Sequence, residues 1–305
     1  LQCSYDGTLT VWAGESEFGQ GAKTVMAQVV AEEFGVSPDS VIVQLGDTRL
    51  TPFATGTHGS KLTTILANAV LAACDNAKKE ILDEITLMTG SGKLHIENGA
   101  IKNGRGDVLM TLTEALNKVC IKRSGAPVIA MGEYRPAAVM LDSTGYGNLA
   151  PTYPFGVQAA EVEVDETTGK IIVKKIVAVH DSGKIFNPQM AAGGVYGGVA
   201  QAFGFTMMEQ LGINNQGLLH GGTLLEYKMP TMLDVPELVA DFVETEDPHG
   251  PYGAKALGEP PIVSVLPAIA NAVYNAIGLR LDDAPFTPQK VLKAIQRQKM
   301  NEKKD

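Results

Sequence analysis

The sequence is poor in the residues that most often announce a chemistry. Its three cysteines, Cys3, Cys74 and Cys120, lie far apart among 305 residues. They form no CxxC pair, no zinc pattern and no even disulfide framework, and are too few and wrongly spaced for an iron–sulfur cluster. This usage fits a reducing, cytoplasmic compartment. The five histidines, His58, His95, His180, His220 and His249, show no HxxxH-type spacing, so a protein-held metal is not expected. Neither a GxSxG elbow nor a Walker A loop occurs. Basic residues come at most in adjacent pairs such as Lys303-Lys304, and the net charge is −9. Both features argue against nucleic acid or an anionic membrane surface as a partner. No stretch approaches the roughly 20 continuous apolar residues of a membrane span, and no signal peptide is visible.

What is present is glycine, 33 residues of it, in a chain that is 45% hydrophobic and 19% charged. That describes a globular protein with many tight turns and enough length for one large or two ordinary domains. The chain opens at Leu1, not Met, almost directly on the strand pattern Leu9-Thr10-Val11-Trp12. A processed product or a piece of something larger is the expectation.

The patterning predicts a mixed α/β protein of the α+β class with two related lobes, residues 1–150 and 151–305. In the first lobe, a glycine-punctuated loop from Gly14 to Gly21 opens a helix through Thr24–Phe34 that stops at Gly35. After a strand at Val41–Leu45, a second polar loop, Asp47–Lys61, opens a long helix with apolar residues at helical spacing from Leu62 to Ile85. A hairpin turning at Asn98-Gly99, a helix near Thr113–Cys120 and a strand near Val128–Glu133 follow. Pro136–Pro154 reads as an irregular domain-crossing segment. The second lobe begins with strands at Val157–Val164 and Ile171–Val179 joined across Asp165–Gly169. Next come a glycine-rich helix near Met190–Gln210, a strand at Leu238–Val243 and a terminal helix after Pro285.

Two kinds of site stand out. Glu259 follows Gly258 and precedes Pro260-Pro261, which remove backbone donors and fix φ. Behind it, Ile262, Leu266, Ile269, Val273 and Ile277 form one apolar helix face. The carboxylate reads either as a general base on a rigid turn or as a helix-start acid favoured by the macrodipole. The second kind is the pair of glycine loops. Phe18-Gly19-Gln20-Gly21 and Gly56-Thr57-His58-Gly59-Ser60-Lys61 read either as ordinary helix-start turns or as backbone N–H cradles for ligand oxygens.

Five segments in order carry a resemblance: Glu17-Phe18-Gly19-Gln20-Gly21; Asp47-Thr48 with Pro52 and Gly59-Ser60-Lys61; Val157 with Glu161-Val162-Glu163-Val164; Tyr227-Lys228-Met229-Pro230; and Gly253 to Pro261. Through them the chain resembles the C-terminal part of the molybdenum-binding subunit of the xanthine dehydrogenase/aldehyde oxidase family, over nearly its whole length. The resemblance implies two α/β lobes enclosing a molybdopterin cofactor, usually the cytosine dinucleotide form in bacteria, with molybdenum held by the pterin dithiolene and no protein ligand. It makes Glu259 the base that deprotonates a Mo–OH group, whose oxygen attacks an electron-poor carbon while hydride passes to a sulfido or selenido ligand. Gln20 becomes the amide that hydrogen-bonds an oxygen ligand of the metal. Phe18, Gly19, Gly21, Gly59, Ser60, Thr63 and Gly258 become cofactor contacts.

The implied reaction is hydroxylation of an aromatic N-heterocycle or aldehyde with water-derived oxygen. Gly194 departs from the family, where xanthine dehydrogenases carry a glutamine that touches the pterin. The family's first pterin loop, its substrate arginine and its aromatic pair all belong ahead of the matched part. A companion molybdopterin-binding polypeptide is therefore expected, with iron–sulfur (2Fe-2S) and FAD subunits for electron exit. Asp142–Asn148 also has a likeness to 4-hydroxybenzoyl-CoA reductase, which runs related chemistry reductively. A non-catalytic molybdopterin-binding or assembly protein, and a nucleotide-binding α/β protein unrelated to molybdenum, are the remaining alternatives.

Overall fold

The computed structural model describes residues 1–138, 140–150 and 152–301. Val139 and Pro151, within the expected crossing segment, and the Lys303-Lys304 tail lie outside the described residues. The chain divides into two compact units. The first comprises Leu1–Tyr153, Gly183–Asn187 and Glu246–Ala256; the second comprises Pro154–Ser182, Pro188–Thr245 and Leu257–Asp305.

In the first unit β1 (Gln2–Cys3), β2 (Leu9–Ala13), α1 (Ala22–Phe34) and β3 (Val41–Leu45) come first. A π-helical turn, Leu62–Leu66, leads into α2 (Ala67–Thr89). Then follow β4 (Leu94–Glu97), β5 (Ala100–Asn103), β6 (Val108–Thr111), α3 (Leu112–Lys122) and β7 (Val128–Ile129). One mixed sheet has the order β3-β2-β1-β7, with β2 and β3 parallel; β4-β5-β6 is an antiparallel meander. Helix α1 buries Met26, Val30 and Phe34 on one face, and α2 buries Val70, Cys74, Ala77, Ile81 and Ile85 at the spacing read from the sequence. Each fully buried large side chain contributes about 1.5–3 kcal/mol, so these stripes seat both helices in one core. Helix α3 is started by a capping box between Thr111 and Glu114.

The second unit holds β8 (Phe155–Asp165), β9 (Lys170–Asp181), α4 (Pro188–Met207), β10 (Gly212–Ile213), β11 (Leu219–His220), β12 (Glu237–Val243), α5 (Pro260–Val263), α6 (Val265–Ile277) and α7 (Pro288–Asn301). Its main sheet has the order β12-β9-β8. The register passes from Glu161↔Lys175 to Val162↔Val173, so Lys174 is the extra residue of a bulge. The bulge changes which parity of β9 faces inward, from Ile171 and Val173 to Ile176, Ala178 and His180, all buried. Val265, Ile269 and Val273 of α6, one turn apart, are fully buried in the same core as Ile176 and Ala178.

Several expectations need amending. The strand expected to reach Glu133 is only Val128–Ile129, because β1, its two-residue partner, limits the ladder. Pro260–Ile277 is long and apolar enough for a membrane span by length and composition, 18 residues at mean hydropathy 1.3. Here it is two helices broken at Ser264 whose apolar face packs into a protein core.

Candidate functional site

The first unit brings the two glycine loops together. Thr57 Oγ1 donates to the carbonyl of Ser16 at 3.3 Å, and Lys61 Nζ lies 4.0 Å from Glu15 and 2.5 Å from Thr55 Oγ1. A Cβ on Gly14 would stand 2.1 Å from the carbonyl oxygen of Pro52, so the loops approach at backbone distance. Gly19 and Gly59, by contrast, have φ of +106° and +62° with nothing within 4 Å of where a Cβ would point. Their glycine character serves the backbone conformation, and the space beside them is open. Ser60 also takes a positive φ, 53°, so two successive left-handed residues turn the loop into α2. Thr63 sits half-buried inside the π-helical turn; such turns recur at functional sites because they reset the phase of the side chains that follow.

The start of α1 differs from the open anion site that its glycines suggest. Glu17 fills it: Oε1 accepts the N–H groups of Gly19 at 2.8 Å and Gly21 at 3.2 Å, and Oε2 accepts that of Lys23 at 3.0 Å. Partial burial pushes this carboxyl up, but the N–H groups of Lys23, Gly19, Gly21 and Ala22 outweigh it and hold it below the ordinary range. The signal in the sequence is an acid just ahead of a helix with no polar N-cap side chain. Gln20 is exposed and its amide is spent on its own loop, donating to Ser16 O and accepting from Phe18 N, both at 2.8 Å. Phe18, 69% exposed, projects from the same loop.

The segment leading to Glu259 is tied into the first unit as far as Ala256. Asn68 Nδ2 donates to His249 O at 2.8 Å, Lys184 N donates to Gly253 O at 3.2 Å, and the Tyr252 hydroxyl bonds to Glu33. Gly258 and Glu259 begin the last piece of the second unit. Glu259 occupies the N-cap position of α5, with Pro260 and Pro261 at its first two positions, and makes no side-chain cap hydrogen bond. The turn is closed by Ile262 N donating to Glu259 O at 3.0 Å. Below it, Gln158 Nε2 donates to Pro261 O at 2.7 Å, and Gly198 of α4 lies so near that a Cβ would meet Pro261 at 2.9 Å. The fold therefore fixes the backbone and presents the carboxylate. The shielding expected of a buried base is not met within this chain, where Glu259 is exposed.

Among the described residues no group of three or more His, Cys, Asp or Glu side chains converges as a metal site. The space beside Gly19, Gly56 and Gly59 leaves room for a large ligand, with the Gly19 N–H already held by Glu17.

Residues 1–236 match the molybdopterin cofactor-binding domain family. The xanthine dehydrogenase molybdenum-binding subunit of Escherichia coli O157:H7 is 34% identical over 302 residues, covering 95% of this chain and 38% of that subunit. Among solved structures, the reconstituted CO dehydrogenase from Oligotropha carboxidovorans superposes with a TM-score of 0.86 at 26% identity, covering 98% of this chain and 37% of that one. Quinoline 2-oxidoreductase from Pseudomonas putida 86 gives a TM-score of 0.83 at 26% identity, covering 97% and 37%. The chain thus spans less than two fifths of the length of these relatives, with the mixed α/β fold of the molybdenum hydroxylase large subunit.

Proposed function

This chain belongs to the molybdopterin cofactor-binding family, in the form carried by molybdenum-binding subunits of the xanthine dehydrogenase/aldehyde oxidase type, and from that premise we propose that it supplies the base-bearing part of a molybdenum hydroxylase. The proposed reaction is hydroxylation of an aromatic N-heterocycle or aldehyde with oxygen taken from water. Both lobes, 1–150 and 151–305, would serve the cofactor. Phe18, Gly19, Gln20, Gly21, Gly59, Ser60 and Thr63 would hold it from the first, and Gly258 from the second. When bound, the molybdenum cofactor, in its cytosine dinucleotide form, supplies the oxygen transfer and two-electron redox chemistry. Glu259 takes up the proton that hydroxylation releases. Gln20 turns its amide from Ser16 toward the cofactor.

One observation carries this reading. Glu259 sits at a helix start, locked by two prolines, and yet does not cap that helix. A carboxylate on such a rigid turn can serve as a proton acceptor, and closure by the rest of the protein would give it the dry surroundings a base near neutrality needs. Leu211, Leu218, Leu224, Leu225, Met232 and Leu233 are all at least 60% exposed in a single stretch of the second unit. That supports a covering companion molybdopterin-binding polypeptide. Iron–sulfur and FAD subunits would take the electrons, in the cytoplasm.

The test uses the assembled protein. Glu259→Gln should lower turnover by about 10²–10⁴-fold while the molybdenum content stays near that of the parent protein. Undiminished turnover with full metal would reject the base assignment.

A further inference from the structure

We propose that His180 is a positioning residue for the Glu259 turn, acting through the side-chain amide of Gln158. Among the described residues, four buried polar side-chain atoms have no hydrogen-bond partner: His180 Nδ1, His180 Nε2, Gln158 Oε1 and Ser182 Oγ. They belong to neighbouring positions. Gly156 pairs with His180 and Gln158 with Ala178 across β8 and β9, so Gln158 and His180 share one face of the sheet as diagonal neighbours. Such neighbours lie about 7–8 Å apart, within reach of long side chains. His180 is fully buried, and its ring rests on Gly156, where a Cβ would meet Nδ1 at 2.5 Å.

The donors and acceptors sort themselves. Pro261 O can only accept, so the Gln158 nitrogen must face it. This leaves Oε1 pointing into the interior as an acceptor in need of a donor. Burial holds the imidazole below its ordinary pKa, so near pH 7 the ring is neutral, with one N–H donor and one bare nitrogen. One internal water carries the ring N–H to Gln158 Oε1, and the Ser182 hydroxyl reaches the bare nitrogen by the same kind of bridge. With Oε1 held, the amide cannot flip, its N–H stays on Pro261, and the backbone two residues past Glu259 is fixed. That this turn carries a base rests on the function proposed above; the hydrogen-bond relay does not.

Hydrogen exchange of the 305-residue chain reads the relay without substrate or cofactor. The Ile262 amide, which closes the Glu259 turn, is compared with the Ile269 amide inside α6. His180→Phe should raise the Ile262/Ile269 ratio of exchange rates about fivefold, the equivalent of one neutral hydrogen bond. Gln158→Met should do the same, and the double variant should add little more. His180→Gln, which keeps a donor, should restore most of the protection and serves as the reading if His180→Phe does not fold. An unchanged ratio in His180→Phe or Gln158→Met, or fully additive effects, would overturn the relay. A raised ratio together with undiminished turnover in Glu259→Gln would keep the relay and remove the base.

Discussion

Glu17 accepts the backbone N–H of Lys23 through Oε2 at 3.0 Å, reaching six residues forward to close the start of α1. With Gly19 and Gly21 on its other oxygen, one side chain satisfies donors that the left-handed Gly21 at the N-cap position cannot. Glu17→Ala should cost about 1–2 kcal/mol of unfolding free energy, the range of a lost N-cap, read by urea denaturation. The sign with pH follows from the depressed carboxyl. The contribution is complete above the unfolded-state pKa near 4.3 (a rough reference value) and is lost as pH falls through the lower folded value. The difference between parent and Glu17→Gln should therefore shrink on acidification below about pH 4.

Two adjacent glycines of α4 should respond in opposite directions to the same change. Gly197 faces open space, and Gly197→Ala should stabilise the isolated chain by up to about 1 kcal/mol through helix propensity alone. Gly198 faces Pro261 at 2.9 Å, and that proline is pinned by Gln158 and by its own ring. Overpacking there costs about 1–3 kcal/mol, so Gly198→Ala should be destabilising on balance. Thermal unfolding of the two variants side by side checks the pair.

The three thiols should be silent in the native protein. Burial pushes Cys3 and Cys74 up to about 12, and Cys120 up as well. The thiolate is the reactive form. Iodoacetamide at pH 8 should leave all three unmodified until denaturant is added, when mass spectrometry should show three additions. Rapid native alkylation of Cys74 would contradict its placement in the α2 core.

Long periodic elements were legible before the fold was known. The α2 stripe from Val70 to Ile85 and the β8–β9 hairpin across Asp165–Gly169 repeat their pattern often enough to outweigh local ambiguity. Shorter elements were not. β1 and the β10–β11 pair are two-residue strands that exist only through their partners, and the break at Ser264 leaves no mark on the apolar spacing. At the candidate site the residues were legible and their partners were not. The motif containing Glu17 was visible, but its reach to Lys23 depends on how the loop folds back. The same holds for Gln20, whose amide closes on Ser16. His180 shows in the sequence only a lack of metal-ligand spacing, and only the packing shows its two ring nitrogens without partners.

The first unit borrows Gly183–Asn187 and Glu246–Ala256 from the far side of the sequence. Severing the polypeptide after Tyr153 would therefore strand both borrowed pieces on the other fragment, including the Gly253 carbonyl that receives Lys184 and the His249 carbonyl that receives Asn68. The first product would be an incomplete unit, while the second would keep every segment of its own unit and carry the two borrowed pieces besides. Truncation libraries and tag insertions should respect this threading, since a cut that looks natural on paper would remove two structural members from the first unit.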